Sequence, residues 1–203
     1  ILESLGVDVV VSGGQTMNPS TKDLLDAVER VNADAVIILP NNSNIIMAAQ
    51  SAAGLSEVPC AVVPTKSVPQ AFSALFSADE TASLEENVEN MTSAFADTKT
   101  GEVTTAIKDS KDAHDNPIHN GDVIGIADGS IEAVGSSVED VVMSLLDTME
   151  AEDADTLTLL AGEDFSDEQL DALVERIESR FDELEVDAHR GEQPLYPIVL
   201  SVE

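Results

Sequence analysis

Short runs of β-branched residues alternate with amphipathic stretches along the first half of the chain. Val7-Asp8-Val9-Val10-Val11, Ala35-Val36-Ile37-Ile38-Leu39 and Cys60-Ala61-Val62-Val63 are each closed by Gly, Pro or Asn, or by Pro-Thr-Lys. Such runs predict buried strands. Between them, Leu24, Leu25, Val28 and Val31 recur at helical spacing behind Pro19, with Asn18 as the expected cap. Ile45 to Ala53 predicts a second helix, apolar nearly all round and therefore buried, stopped by Gly54. Val68 to Phe76 predicts a third. Ser83-Leu84-Glu85-Glu86 is a capping box that opens a fourth helix, ending near Ala96. Strands alternating with helices across short loops predict βαβ units on a parallel sheet. In such sheets the loops after the strand C-termini line the ligand crevice. Here they are Ser12 to Ser20, Leu39 to Asn44, and Pro64 to Pro69.

The pattern changes near Lys99-Thr100-Gly101, which we take as the lobe boundary, with one lobe over 1–98 and the other over 99–203. Val103 to Ile107 alternates like a half-exposed strand, and Lys108 to Gly121 reads as a polar loop. Val123 to Ala127 and Ile131 to Val134 flank Asp128-Gly129, a hairpin turn signal. Ser136-Ser137-Val138-Glu139 caps a helix, Thr156 to Leu160 is a strand, and Ser166-Asp167-Glu168-Gln169 is a second capping box before a helix through Phe181. Glu185 to Ala188 and Ile198 to Val202 predict the closing strands. Hairpins with two helices predict a mixed or mostly antiparallel sheet with helices on one face. The fold class expected is thus α/β and two-lobed: a parallel βαβ lobe, then a mixed α+β lobe.

Composition narrows the function classes. The formal net charge is -31, from 40 acidic and 9 basic residues. A surface this negative repels phosphate backbones and anionic headgroups, so neither nucleic acid nor a membrane surface is an expected partner. Solubility is the plain reading of the charge, and a basic partner surface the sharper one. The single cysteine, Cys60, excludes an internal disulfide and a thiolate zinc cluster, and its apolar run predicts a small buried core residue. No apolar stretch is long enough to span a bilayer, and no signal peptide is visible. The chain opens without an initiator Met, and Ile1-Leu2-Glu3-Ser4-Leu5 reads as the tail of a helix already under way. We therefore expect a cytoplasmic fragment of a longer protein.

The densest polar loop is Ser12-Gly13-Gly14-Gln15-Thr16-Met17-Asn18-Pro19-Ser20-Thr21. Two glycines allow close backbone approach, and Thr16, Asn18, Ser20 and Thr21 present polar groups at a helix start, which suits a carboxylate or phosphate. A capped strand-to-helix turn accounts for the same residues. The loop has neither Walker nor dinucleotide spacing. Asn41 and Asn42 can bond a ligand or cap the helix that follows, and Lys66 can meet an anion or a neighbouring acid. His114 and His119 lie beside Asp112 and Asp115, but in no metal-ligand pattern. His189-Arg190-Gly191-Glu192-Gln193-Pro194 follows a strand and can face the crevice or simply turn. No Ser/His/Asp set is present, so no catalytic residue and no metal ligand is named.

Three segments go beyond a generic α/β pattern: 13–21, Leu39-Pro40-Asn41-Asn42-Ser43-Asn44-Ile45-Ile46, and Gly191-Glu192-Gln193-Pro194-Leu195-Tyr196-Pro197. With them, in order and over essentially its whole length, the chain resembles the C-terminal region of the bacterial DAK2-domain (DhaL-like) proteins, the fatty acid kinase A subunits. The resemblance implies a DegV-like, EDD-type fold. It implies a parent that phosphorylates a fatty acid presented by a separate DegV-type carrier, using ATP and Mg in domains outside this chain, and no cofactor within it. The partners implied are the DegV-type fatty-acid-binding protein and other domains of the same polypeptide, with a homodimer left open.

The same resemblance can be followed by residue. Thr16-Met17-Asn18-Pro19-Ser20 stands where the carriers have Thr-Ser-Gln-Pro-Ser, so Thr16 matches the hydroxyl that holds the fatty acid carboxylate. Pro40-Asn41-Asn42 replaces their Ser-Gly-Thr, so the second carboxylate hydroxyl is missing. His189-Arg190-Gly191 echoes their His-x-Gly, but Glu192 stands where glycine should follow, and a negative side chain repels a carboxylate. The expectation is a non-catalytic docking domain built from Thr16, Asn18, Ser20, Thr21, Asn41, Asn42, Lys66, His189 and Gln193. A carboxylate-binding module is the alternative, and an independent hydrolase a distant third.

Overall fold

The computed structural model describes residues 2–12, 18–112 and 114–203. These form two compact units, Ile1–Asp97 and Thr98–Glu203, each built around its own sheet.

In the first unit, two short strands lie parallel, β1 (Val36–Ile38) against β2 (Cys60–Val62), in the register Val36↔Cys60, Ile37↔Ala61 and Ile38↔Val62. Successive side chains point to opposite faces, so each strand feeds two cores. On one face Ile38 and Val62 meet Leu24, Ile45, Ala49 and Ala52, from α1 (Thr21–Val31), α2 (Ile46–Leu55) and the turn before α2. On the other, Ile37, Leu39 and Val63 meet Ala74, Met91 and Phe95, around α3 (Val68–Phe76) and α4 (Leu84–Ala94). Helices on both faces are what a parallel pair requires.

Several local expectations are corrected here. The cap of α1 is Ser20, not Asn18: the Ser20 hydroxyl accepts from the Asp23 N–H while the Asp23 carboxylate accepts from the Ser20 N–H. This reciprocal box places Pro19 before the helix rather than inside it. Val7 to Val11 forms no ladder among the described residues. Its side chains alternate between half-buried and exposed, and Val11 packs toward α2. A β-branched run favours extended backbone and an apolar face, but it does not supply a pairing partner. The opening residues Leu2–Leu5 form a 3₁₀ turn rather than an α-helical tail. Helix α2 continues through Gly54 to Leu55 and is not buried all round: Ala49 and Ala52 are sealed at 0%, whereas Met47 is 75% exposed. Small alanines let the helix sit close to the sheet with only one face covered. Cys60 is half-buried rather than enclosed.

The second unit is built from β3 (Lys99–Thr105), β4 (Ser110–Lys111), β5 (Pro117–Ile118), β6 (Val123–Ala127), β7 (Ser130–Gly135), α5 (Val138–Thr148), β8 (Thr156–Ala161), α6 (Asp167–Arg180), β9 (Glu185–Arg190) and β10 (Ile198–Val202). The main sheet runs β7-β6-β3-β10-β8-β9, and each neighbouring pair is antiparallel except β8 with β9. Leu145 and Leu146 of α5 and Leu173 and Ile177 of α6 share one core with Val103, Leu157, Leu159, Ile198 and Leu200. The α/β class with a mixed, mostly antiparallel second sheet is therefore as the pattern predicts.

The turn between β6 and β7 places Asp128 at φ 46° and Gly129 at φ 91°, as a two-residue hairpin requires. The polar loop from 108 to 121 is not structureless, because β4 and β5 pair within it and Ile118 is buried. Strand β3 begins at Lys99 rather than Val103, so Lys99-Thr100-Gly101, at the expected lobe boundary, is already strand. Gly101 lies opposite Leu200, and a methyl there would come within 2.8 Å of the Leu200 side chain. The glycine at the expected lobe boundary is a close-packing position.

Gly125 of β6 plays the same part beneath α5, where an added methyl would lie 2.7 Å from Leu145 Cγ and 2.8 Å from Val141 Cγ1. Both neighbours are buried and cannot step into solvent. Gly125→Ala should lower stability by about 1–3 kcal/mol through overpacking. Urea unfolding checks this; an unchanged midpoint would contradict the seating of α5 on β6.

Candidate functional site

The ends of β1 and β2 lead into two loops that are tied to each other. Asn41 takes the left-handed backbone conformation, at φ 56°. Its side-chain Oδ1 accepts from the Thr65 hydroxyl at 2.7 Å, and that same hydroxyl accepts the Asn41 N–H at 3.1 Å. Thr65 is 0% exposed, so these bonds replace the water it lost. The Gln70 side chain accepts the Lys66 N–H at 2.8 Å, and Ser67 caps α3 by accepting from the Gln70 N–H. Asn42 Oδ1 accepts the Asn44 N–H at 2.9 Å, closing the turn into α2.

The arrangement brings Asn41 together with Thr65, Ser67 and Gln70, three buried polar residues that the sequence pattern did not single out. The run Thr65-Lys66-Ser67 before a Pro-containing helix start was the available signal, a Ser at N-cap position with Pro at the second helical position. Lys66 is exposed and makes no ion pair with a described residue. At the start of α1, the Ser20 hydroxyl donates to Asp23 Oδ2 at 2.7 Å, Asn18 is exposed and Thr21 is half-buried. The bonds from the Ser20 hydroxyl and then its N–H hold the Asp23 carboxyl below its ordinary pKa. Thr16 lies outside the described residues, as do Gly13, Gly14, Gln15 and Met17.

In the second unit, His189 lies in β9 opposite Leu160 rather than in a turn, and its Nε2 is 2.8 Å from Asp187 Oδ2. Gln193 is turned inward: its amide donates to the carbonyls of Leu160, at 2.8 Å, and Tyr196, at 3.1 Å. Arg190 donates to the carbonyls of Phe165 and Gly162. The segment 191–197 is thereby fastened to the end of β8, with the Gly162 N–H donating to the Pro197 carbonyl at 2.9 Å. A methyl on Gly162 would collide with the Tyr196 carbonyl oxygen. Glu192 sits at φ 56°, a conformation that favours glycine. The backbone thus keeps a glycine-like turn while carrying a carboxylate.

Glu102 and Tyr196 form the electrostatic feature of this unit. Glu102 is half-buried on β3, opposite Ile126 and Val199, and burial raises its pKa. Burial pushes the Tyr196 phenol up to about 12, with the Glu102 charge adding to the effect. His114 lies 3.3 Å from Glu132 and His119 3.6 Å from Asp122, on separate carboxylates. Among the described residues no cluster of three His, Cys, Asp or Glu could hold a metal ion, and no buried side-chain polar atom lacks a partner. Nor is any helix among them long and apolar enough to cross a membrane.

A parallel α/β unit followed by a unit with a mixed, mostly antiparallel sheet gives this chain a DegV-like fold. The solved structure of the DegV family protein Cg2579 from Corynebacterium glutamicum matches with a TM-score of 0.66 at 16% identity, over 98% of this chain and 90% of that one. The Fak B3 protein of Streptococcus pneumoniae, a fatty acid kinase component solved with linoleic acid, matches with a TM-score of 0.63 at 15% identity, over 91% and 76%. In sequence, protein YloV of Bacillus subtilis is 44% identical over 204 residues, spanning all of this chain and 36% of YloV. This chain thus spans about a third of that relative's length. The FakA-like C-terminal family, that of the C-terminal regions of fatty acid kinase A subunits and their like, matches residues 1–203, and the chain belongs to it.

Thr65→Val should cost about 1–3 kcal/mol, because it strands the Asn41 amide and N–H, while Thr65→Ser should recover most of the loss. Thermal or urea unfolding of the two variants separates these outcomes. The phenol makes a second measurement simple, since Tyr196 is the one tyrosine and there is no tryptophan. Its phenolate absorbance should titrate near 12, and Glu102→Gln should lower that midpoint. The carboxyl predicts a stability effect as well. An acid whose folded pKa is raised favours folding while protonated, and loses that advantage as pH climbs through its unfolded value to the raised one. Glu102→Gln should therefore gain stability relative to the parent chain across that rise.

Proposed function

We propose that this chain is the non-catalytic carrier-docking domain of a fatty acid kinase. The parent would phosphorylate a fatty acid held by a DegV-type carrier, with ATP and Mg bound in other parts of the polypeptide, in the cytoplasm. The observation that carries the reading is the bonding at Thr65. Its hydroxyl is sealed and engaged with Asn41, on the loop where Pro40-Asn41-Asn42 replaces the Ser-Gly-Thr that the resemblance assigns to carboxylate binding. A hydroxyl consumed in this way has no proton left for a ligand. The Gln193 amide is consumed similarly, by two backbone carbonyls. Glu192 adds a negative charge on the loop that echoes the carriers' His-x-Gly.

On this reading Asn18, Thr21, Asn42 and Lys66 of the first unit take part in recognition, and His189 is an exposed candidate of the second unit. The His189 imidazole lies 2.8 Å from Asp187 Oδ2, and among the described residues no hydroxyl or thiol is hydrogen-bonded to its ring. A hydrolase is disfavoured accordingly.

Purified protein extracted with organic solvent should yield no stoichiometric fatty acid by mass spectrometry, and should retain a DegV-type carrier on a sizing column. Recovery of one fatty acid per chain would transfer the function to carboxylate binding. With ATP, Mg and loaded carrier, this chain alone should form no acyl phosphate; its formation would refute the non-catalytic assignment.

A further inference from the structure

Strand β2 has one side committed to β1 and the other unpaired among the described residues. In a parallel pair alternate residues of each strand point their N–H and C=O toward the neighbour. The Val36 N–H bonds the Pro59 carbonyl at 2.9 Å, and the Val63 N–H bonds the Ile38 carbonyl at 3.1 Å. That parity assigns Pro59, Ala61 and Val63 to β1, so the N–H and C=O of Cys60 and Val62 point the other way. No described residue pairs with them there. Beside this edge lies a groove of about 620 Å³, with Cys60 and Ala61 on one wall and Leu84, Val88 and Thr92 of α4 on the other. Glu85 and Glu89, one helical turn apart, stand at its rim, exposed and in no ion pair with a described residue.

The edge is short and lies between Pro59 and Pro64, but it carries no charged side chain. Natural sheets block open edges with charged side chains, prolines or bulges. The outer strand β9 of the second unit follows that rule, with Glu185, Asp187 and His189 exposed along it. Strand β2 carries Cys60, Ala61 and Val62, none of them charged.

We propose that the open edge of β2 and the groove beside α4 form a docking site for an extended, basic segment of a partner protein, which adds to the β1–β2 sheet as a third strand. Its backbone would bond the outward groups of Cys60 and Val62. Its apolar side chains would enter the groove over Ala61, Leu84 and Val88, and a Lys or Arg would meet Glu85 and Glu89. Charge selects the occupant. A second copy of this chain brings 40 acidic residues against 9 basic ones, so like charge opposes self-pairing. The proposal stands on β2 and α4 alone and does not depend on the carrier-docking reading, whose residues lie on other loops.

The test uses a labelled peptide, acetyl-Arg-Val-Lys-Val-Arg-Val-amide, titrated into the 203-residue chain and followed by fluorescence anisotropy. Glu85→Gln with Glu89→Gln should weaken binding about fivefold, given the modest energy of each exposed pair. Glu175→Gln with Glu178→Gln makes the same change of charge on α6 and should leave binding nearly unaltered. The peptide N-methylated at every second residue should lose binding, because it cannot complete the strand. Equal weakening by the two Gln pairs would assign the attraction to the diffuse negative field and overturn the proposal. Undiminished binding of the N-methylated peptide would overturn it too. So would a dimer in sedimentation that the peptide dissociates, since a second copy would then be the occupant.

Discussion

A hydroxyl removed from water must find its partners inside the protein, and that requirement at Thr65 organises the first unit. The side chain reaches across from the loop after β2 to the loop after β1 and engages Asn41 both as donor and as acceptor. To present its N–H and Oδ1 together, Asn41 adopts φ 56°, a conformation Asn tolerates better than most residues. The pairing sets where Asn42 turns the chain into α2 and where Lys66 leaves the strand. The polar groups this unit leaves unbonded are therefore what remains after the scaffold has satisfied itself. The same economy governs the second unit, where Gln193 and Arg190 spend their donors on the carbonyls of Leu160, Tyr196, Phe165 and Gly162.

Local signals were legible because their physics is local. Ser83 with Glu86 and Ser166 with Gln169 form reciprocal caps three residues apart, and nothing distant is needed to read them. Asp128-Gly129 announces a hairpin because the two positive φ values belong to the dipeptide itself. Val7 to Val11 shows the opposite case: its sequence specifies an extended backbone, but a strand also needs a neighbour, and neighbours are set by tertiary structure. The roles of Gly101 and Gly125 were illegible for a similar reason. What makes them glycine is Leu200 in one case and Val141 with Leu145 in the other, residues far along the chain.

Within the candidate site, the residue types near strand ends were readable, but the direction of each side chain was not. Asn42, Lys66 and Asn18 remain at the surface, whereas Gln193 turns inward onto carbonyls. Thr65 and Gln70 were hidden by a different ambiguity. Polar residues after a strand suggest solvent, yet here both are buried and bonded to neighbouring backbone or amide. Pattern gives the probability of burial by residue type, and a polar residue inside the fold is the case where that expectation reverses.

Acidity and edge chemistry act together in this chain. Net charge of -31 keeps copies apart at long range, which relaxes the need to defend every sheet edge individually. Against identical molecules the bare edge of β2 is shielded by the field of the whole protein. Against a basic segment the same field becomes attractive, and Glu85 and Glu89 concentrate it at the groove. Salt separates the two contributions: attraction to the overall field fades as the Debye length shrinks, whereas strand bonding and apolar burial in the groove persist. A docking edge of this kind is selective through charge and firm through backbone pairing, two properties that neither the acidity nor the open strand supplies alone.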